Sequence, residues 1–152
     1  MIGFTLMMPT PDRSLIEDLE QAIEDLRRAK PIKIVDIKYD PNYSENTHQG
    51  IYAITDPEDL EVVYIGKTND GTKENGVADR IWGHCAKGSD LQTALGIGPN
   101  QIEQHVVRTV PISDPARRGL SELYGIAIYR PKGNRYGRKG VIADLDERTP
   151  SG

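Results

Sequence analysis

Two short segments with the residue pattern of β-strands, joined by a single turn, constrain the fold of this chain more than any other feature. They span residues 50–55 and 61–67, and the five residues between them include Pro57 and three acids. This composition is typical of a turn, and the length of the connection favours an antiparallel hairpin. The sequence therefore predicts two adjacent antiparallel strands at the centre of the fold.

The register of this hairpin decides how Tyr52 and Tyr64 lie relative to each other. If Thr55 faces Glu61, the two tyrosines are directly opposed and share one face of the sheet. Opposed side chains have Cβ atoms about 4.5–5.5 Å apart. One interpretation is an aromatic pair that only stabilises the hairpin. The other is a pair of phenols at a reactive site.

Helices and further strands surround the hairpin in the predicted fold. The patterns predict helices over 14–30, 76–87 and 90–95, a helix after Ser113, and strands over 32–37 and 102–110. We expect an α+β fold in which helices flank a small, mostly antiparallel central sheet of three or more strands. The 152 residues suit one compact domain. Its expected parts are an N-terminal helix–strand extension over 1–45, a core over 46–140 and an acidic tail over 141–152.

The helix predicted after Ser113 carries its apolar residues along one side. Their spacing marks them as the buried face of the helix, and they are Leu120, Leu123, Tyr124 and Ala127. By the same pattern, Glu122 lies on the opposite side of the helix. The pattern alone therefore predicts that Glu122 faces solvent.

Composition restricts the class of protein. No apolar run approaches the roughly 20 residues that span a bilayer, so we expect no membrane association. Cys85 is the only cysteine, which excludes an internal disulfide and favours a reducing, cytoplasmic location. One cysteine and three histidines also show no spacing typical of a zinc site.

A net charge of −4 is unfavourable for a nucleic-acid-binding protein, but the charge is unevenly distributed. Residues 108–140 contain eight Lys and Arg against two acids, whereas residues 40–60 contain five acids and no Lys or Arg. The basic stretch either attracts DNA locally or forms ordinary solvated surface. The candidate DNA contacts are Arg117, Arg118, Arg130, Lys132, Arg135, Arg138 and Lys139.

Two polar residues lie four positions apart on the helix predicted over 76–87. The apolar stripe of this helix faces the core, which places Arg80 and His84 together at one edge of the stripe. The planar, permanently charged guanidinium of Arg80 suits two phosphoryl oxygens, and an imidazole suits holding a water or tuning a phenol. Taken alone, each is more simply a polar surface residue.

Together these residues resemble the GIY-YIG nuclease family, whose members cut DNA with one divalent metal ion. The motifs that carry the resemblance are Gly50-Ile51-Tyr52, Tyr64-Ile65-Gly66, Arg80 with His84, Glu122, and Asn134 at the end of Arg130-Pro131-Lys132-Gly133-Asn134. The resemblance spans about residues 48–135. It implies a GIY-YIG nuclease-like fold. In this family, extensions such as residues 1–45 often supply DNA contacts or a dimer surface.

The resemblance implies a role for both tyrosines. Tyr52 becomes the general base that takes a proton from water, and Tyr64 orients the water or the phosphate. A phenol has an unperturbed pKa near 10, so it needs a nearby cation that favours the phenolate. Lys67 and His84 are the candidate cations.

The resemblance also implies a metal ligand and a closing element. Glu122 would hold one Mg²⁺ or Mn²⁺ ion, because water and substrate oxygens complete the octahedron around such an ion. Asn134 would bond the tyrosine or the backbone near the site. The alternative for Asn134 is an ordinary turn asparagine in a Gly-rich loop.

We therefore expect a metal-dependent DNA endonuclease that leaves a 5′-phosphate and a 3′-hydroxyl, of restriction or mobile-element type. DNA is the expected partner, and a palindromic target would require a homodimer. The alternatives are a non-specific nuclease toxin, a DNA-binding module of the same fold without activity, and a protein-interaction domain.

Overall fold

The computed structural model describes residues 7–10, 13–39, 48–69 and 76–134. The candidate DNA contacts Arg135, Arg138 and Lys139, and the tail over 141–152, lie outside the described residues. In chain order the elements are α1 (Arg13–Arg28), β1 (Ile32–Lys33), a 3-10 helix (Ile34–Tyr39), β2 (Gly50–Thr55), β3 (Val62–Lys67), α2 (Val77–Gly83), α3 (Asp90–Leu95), α4 (Pro99–Glu103), β4 (Val106–Pro111) and α5 (Pro115–Tyr129).

Over the described residues, the strands form one antiparallel sheet in the order β1-β4-β2-β3. β2 pairs with β3 on one side and with β4 on the other, and every residue of β2 is buried. The short β1 and the longer β3 are the two edge strands. The predicted α+β architecture with an antiparallel central sheet is confirmed.

Helices cover both faces of the sheet, and each face has its own apolar core. On one face, α2, α3, α4 and the 3-10 helix pack against residues that include Tyr52 and Val107. On the other face, α1 and α5 pack against Ile51 and Ala53. Neighbouring residues of β2 belong to different cores because successive side chains of a strand point to opposite faces.

The hairpin register differs from the predicted register by two residues. Tyr52 faces Gly66 and Tyr64 faces Ile54, so the prediction of directly opposed tyrosines was wrong. The pairing shifts between Ile54 and Thr55, which is the signature of a β-bulge with an extra residue in β3. A change of two residues keeps each side chain on its face. The two rings therefore still lie together, with centroids 6.0 Å apart.

Gly66 makes room for the tyrosine that faces it. A Cβ atom at this position would lie 2.5 Å from Cζ and Oη of Tyr52 and 2.8 Å from Cε1 of Tyr64. These distances are far shorter than the roughly 3.5–4.0 Å of a normal carbon contact. Glycine at this position therefore allows the Tyr52 ring to lie across β3.

Most predicted elements are present, with shifted boundaries. Helix α1 buries Ala22, Ile23 and Leu26, which belong to its predicted apolar stripe. The strand predicted over 32–37 was only partly right, since it lasts two residues before the 3-10 helix begins. This short helix buries apolar residues three positions apart, a spacing that suits three residues per turn.

The strand predicted over 102–110 begins only at Val106. The preceding residues form α4, which no pattern had indicated. Pro99 occupies the first turn of this helix, and the Gln101 side chain accepts a hydrogen bond from the Gly98 N–H at 3.0 Å. Both features favour a helix start over a strand.

The buried face of α5 is the opposite of the predicted one. Leu120 and Leu123 are 41% and 40% exposed, so the prediction that they form the core was wrong. The buried residues of the helix are Arg118, Ser121, Glu122, Gly125 and Ile126. A Cβ atom at Gly125 would lie 3.0 Å from Cδ1 of both Ile23 and Ile65. Glycine thus allows α5 to approach α1 and the sheet closely along this face.

Candidate active site

A cleft of about 380 Å³ brings together side chains from β3, α2, α3 and α5. The predicted site residues that line it are Tyr64, Lys67, Arg80, His84 and Glu122. Tyr52 is fully buried on the neighbouring strand and bonds to a residue of the cleft wall. The fold therefore gathers six candidate residues that are distant in sequence.

Three aromatic rings pack against one another at the cleft. The hydroxyl of Tyr52 lies 2.7 Å from Nε2 of His84, which is a hydrogen-bond distance. The rings of Tyr64 and His84 meet edge to face with centroids 4.7 Å apart. His84 is the C-cap of α2, so the end of this short helix determines where the imidazole lies.

Burial controls the protonation of Tyr52. It is the main reason that the pKa of Tyr52 lies well above the ordinary value near 10, and the charges of Tyr64 and Glu122 raise this pKa further. Arg80 acts in the opposite direction, through its positive charge and a hydrogen bond from its side chain. The phenol therefore keeps its proton at neutral pH and can donate it to Nε2 of His84.

His84 is neutral at neutral pH. Burial, and then the positive charge of Arg80, lower the pKa of His84 from 6.5 to about 4. The prediction that His84 supplies a cation to stabilise a phenolate was therefore wrong. A neutral imidazole instead offers a hydrogen-bond acceptor to Tyr52.

Glu122 is 2% exposed and lines the cleft, so the prediction from helical periodicity that it faces solvent was wrong. Its effect on the pKa of Tyr52 indicates that the two groups are close. A carboxylate in a polar cleft fits Mg²⁺, which is usually bound through one or two carboxylates and keeps several waters. Within the described ranges, no group of three or more His, Cys, Asp or Glu is arranged to hold a metal ion.

Lys67 is the last residue of β3, and its side chain is tied to the segment that follows. Its Nζ donates a hydrogen bond to Oδ1 of Asn69 at 2.8 Å, and both residues line the cleft. Lys67 thus adds a second positive charge to that of Arg80 in the cleft wall.

The side chain of Asn134 forms hydrogen bonds with the outer edge of β3. Its Nδ2 donates to the carbonyl of Ile65 at 2.8 Å, and the Ile65 N–H donates to its Oδ1 at 2.9 Å. The preceding Gly133 donates its N–H to the carbonyl of Val63 at 2.8 Å and lines the cleft. The predicted bond from Asn134 to the backbone near the site is confirmed. It holds the strand that carries Tyr64.

Arg118 does not have the surroundings of a DNA contact. It is 1% exposed, and its guanidinium donates to the carbonyls of Thr68 at 3.1 Å and Ile112 at 2.9 Å. It therefore joins the ends of β3 and β4 to α5. Since its guanidinium is buried on backbone carbonyls, the prediction that Arg118 binds DNA was wrong.

The other candidate DNA contacts among the described residues lie near the surface. Arg117 is partly exposed and pairs with Asp18 of α1, whereas Arg130 and Lys132 are exposed. No candidate DNA contact among the described residues lines the cleft. Their assignment as DNA contacts stays a prediction.

Several polar residues at the cleft were missed by sequence reasoning. Asn69, Asp79, Ser89 and Asp90 line it, and Gln92 is buried in the first turn of α3. For Gln92 the sequence offered no signal, because the short helix α3 also carries the polar residues Asp90 and Thr93. For the others, only the fold brings them to the cleft.

The geometry of the cleft is the basis for assigning a class of protein. No protein-family model, curated protein or solved structure matches this chain. None of the helices in the described part of the chain is long and apolar enough to cross a membrane.

Proposed function

We propose that this chain is a divalent-metal-dependent DNA endonuclease of the GIY-YIG type, which hydrolyses a phosphodiester bond to a 5′-phosphate and a 3′-hydroxyl. The supporting observation is that a phenol, a guanidinium, an imidazole and a carboxylate interact at one cleft. Tyr52 bonds His84, and its pKa responds to both Arg80 and Glu122. Packing alone does not call for two buried and two half-buried polar groups in one place, because removing each from water is costly.

Arg80 and Lys67 are the phosphate-binding residues in this proposal. The guanidinium forms a planar fork that binds two phosphoryl oxygens and stays charged throughout the reaction. The cleft also contains the carboxylates of Asp79, Asp90 and Glu122, so its charged residues are negative on balance. A divalent cation held there would offset this charge and make the cleft compatible with a phosphodiester.

Tyr52 is the proposed general base, and His84 holds its hydroxyl in place. In the resting site the phenol is protonated, so it would first have to pass this proton to the neutral Nε2 of His84, 2.7 Å away, before it could accept one from water. Arg80 already lowers the pKa of Tyr52, whereas Glu122 raises it. Glu122 would hold the divalent cation, which would supply positive charge to offset this carboxylate and to stabilise the departing 3′ oxygen.

A plasmid-cleavage assay tests this proposal. Purified protein is mixed with supercoiled plasmid in the presence of Mg²⁺ or EDTA, beside Tyr52→Phe and the control Tyr124→Phe. Tyr124 is a half-buried tyrosine of α5 that packs on the other core. We expect cutting with Mg²⁺, no cutting with EDTA, loss of cutting in Tyr52→Phe and normal cutting in the control. Equal cutting by both variants, or cutting in EDTA, contradicts the proposal.

The pattern of products separates the subclasses. We propose a small restriction-type or mobile-element enzyme, which gives discrete bands. A smear identifies a non-specific nuclease or toxin, and a gel shift without cutting identifies a DNA-binding module. A palindromic target would require two copies of the chain, because two-fold DNA is read by a two-fold dimer.

A further inference from the structure

The turn between α2 and α3 is held by side chains of α3. α2 ends at Gly83, and the last carbonyls of a helix have no partners within that helix. Two of the carbonyls in this turn belong to His84 and Ala86. The amide of Gln92 donates to the first at 2.8 Å and to the second at 2.9 Å. The hydroxyl of Ser89 donates to the His84 carbonyl as well, at 2.8 Å.

The hydrogen bonds to these two carbonyls explain why the polar side chain of Gln92 is buried. It is 2% exposed, next to Leu91, which is also 2% exposed and belongs to the apolar core. Burying an amide is unfavourable unless its donors and acceptors are used. An apolar side chain of similar volume would fill the same space, so the amide at this position serves the two carbonyls.

These hydrogen bonds hold the backbone of His84, whose ring contacts Tyr52. The Nε2 atom of His84 lies 2.7 Å from the Tyr52 hydroxyl, and a displacement of about 1 Å would break this bond. Groups that hold a reacting constellation must keep it to within about 0.5 Å. The side chain of His84 can be held this closely only if its backbone is held as well.

We propose that Gln92 is a positioning residue, which fixes the backbone of His84 so that its imidazole stays on the hydroxyl of Tyr52. Ser89 assists, because it donates to the same carbonyl and also accepts the Gln92 N–H at 3.3 Å as the N-cap of α3. The effect of Gln92 on catalysis rests on the proposed nuclease function. Its effect on the position of the imidazole does not.

The first experiment needs no enzymatic activity. NMR of the His84 ring in the full chain gives its pKa and tautomer in wild type, in Gln92→Met and in the control Gln104→Met, whose residue is exposed. Tyr52, Tyr64 and Arg80 face this ring, and neither substitution changes any of them. The pKa of His84 in the wild type is lowered mainly by burial. If Gln92→Met lets the imidazole move towards solvent, the pKa of His84 should be about one unit higher in this variant. An unchanged ring pKa overturns the proposal.

Ser89→Ala provides a second variant in case Gln92→Met folds poorly. It removes one of the two side-chain donors to the His84 carbonyl at a partly exposed position. We expect a shift of the His84 pKa in the same direction as for Gln92→Met, and smaller. A shift in the opposite direction, or none, contradicts the proposal.

A double-mutant cycle then tests the catalytic consequence. Gln92→Met should lower kcat about tenfold with little change in KM, and it should have no further effect in the His84→Gln background. A merely structural role predicts the same loss in both backgrounds, which would overturn the proposal. If the wild-type chain does not cut DNA, the proposed function fails, while the NMR result still decides whether Gln92 positions His84.

Discussion

Helices α1 and α5 lie side by side on one face of the sheet, yet they use their faces in opposite ways. α1 turns Ile23 and Leu26 inward and its charged residues outward, as a surface helix normally does. α5 turns Arg118 and Glu122 inward and leaves Leu123 in contact with solvent. Helix α1 only covers the sheet. The inner face of α5 also carries Glu122, which lines the cleft, and Arg118, which binds the ends of β3 and β4. Apolar periodicity therefore gives the orientation of the first helix and not of the second.

The largest effect expected from this contrast is on activity. Glu122→Gln keeps the shape of the side chain and removes its charge, so we expect cleavage to fall roughly a thousandfold. The free energy of unfolding should change by less than about 1 kcal/mol, because relief of the desolvation cost of the buried charge offsets the loss of its charged contacts. Single-turnover cleavage and urea unfolding of the same protein measure both quantities. The matched control is Leu123→Gln, on the outer face of the same helix. If Glu122→Gln cuts as fast as wild type, the proposed assignment of Glu122 as a metal ligand is wrong.

The contrast also predicts unequal effects of the same truncation in the two helices. Leu26→Ala in α1 should lower the free energy of unfolding by about 3 kcal/mol, because Leu26 is 2% exposed and its removal leaves a cavity. Leu123→Ala in α5 should lower it by less than about 0.5 kcal/mol. Urea unfolding compares the two variants directly. A large loss of unfolding free energy in Leu123→Ala would mean that the outer face of α5 is buried rather than in contact with solvent.

A third prediction separates two adjacent arginines of α5. Arg118→Met leaves the carbonyls of Thr68 and Ile112 without this donor, which should lower the free energy of unfolding by about 2 kcal/mol. Arg117→Met removes only a partly exposed pair with Asp18, so it should change the free energy by less than about 1 kcal/mol. Urea unfolding measures both, and equal effects would show that Arg118 is not an anchor.

The last prediction, of similar size, concerns pH and tests burial at the cleft itself. The folded-state pKa of His84 is about 4, below its unfolded value of 6.5, so the unfolded chain binds more protons between these values. Stability from this group is complete above pH 6.5 and is lost as pH falls towards 4. The loss should reach roughly 2 kcal/mol at pH 5. Urea unfolding at pH 7.5 and pH 5 measures it, and His84→Gln should lack this component. An identical pH dependence in both proteins would show that His84 is not buried as described.

The sequence was sufficient for those parts of the fold that depend on local pattern. The hairpin followed from two strand-like segments and a turn, and α1 followed from its apolar stripe. The hairpin register did not follow, because the bulge between Ile54 and Thr55 depends on contacts with the rest of the fold. The orientation of α5 did not follow either, since burying Glu122 opposes the apolar pattern that guided the prediction.

The candidate site was predictable only where motif residues carry the resemblance to the GIY-YIG nuclease family. Tyr52, Arg80 and His84 were identified before any contact between them was known, and the fold brings them together. Gln92 was not identified, because its partners are backbone carbonyls of another turn and leave no trace in side-chain spacing. Arg118 was misassigned because a charged residue in a basic stretch resembles a surface contact until its burial is known.

The most direct test of the central claim is a crystal structure of the Tyr52→Phe variant with duplex DNA and Mg²⁺. The account predicts that one phosphate of the backbone lies in the cleft, bound by Arg80, with the cation on Glu122. DNA bound at Arg130 and Lys132, with no phosphate in the cleft and no cation on Glu122, would contradict it.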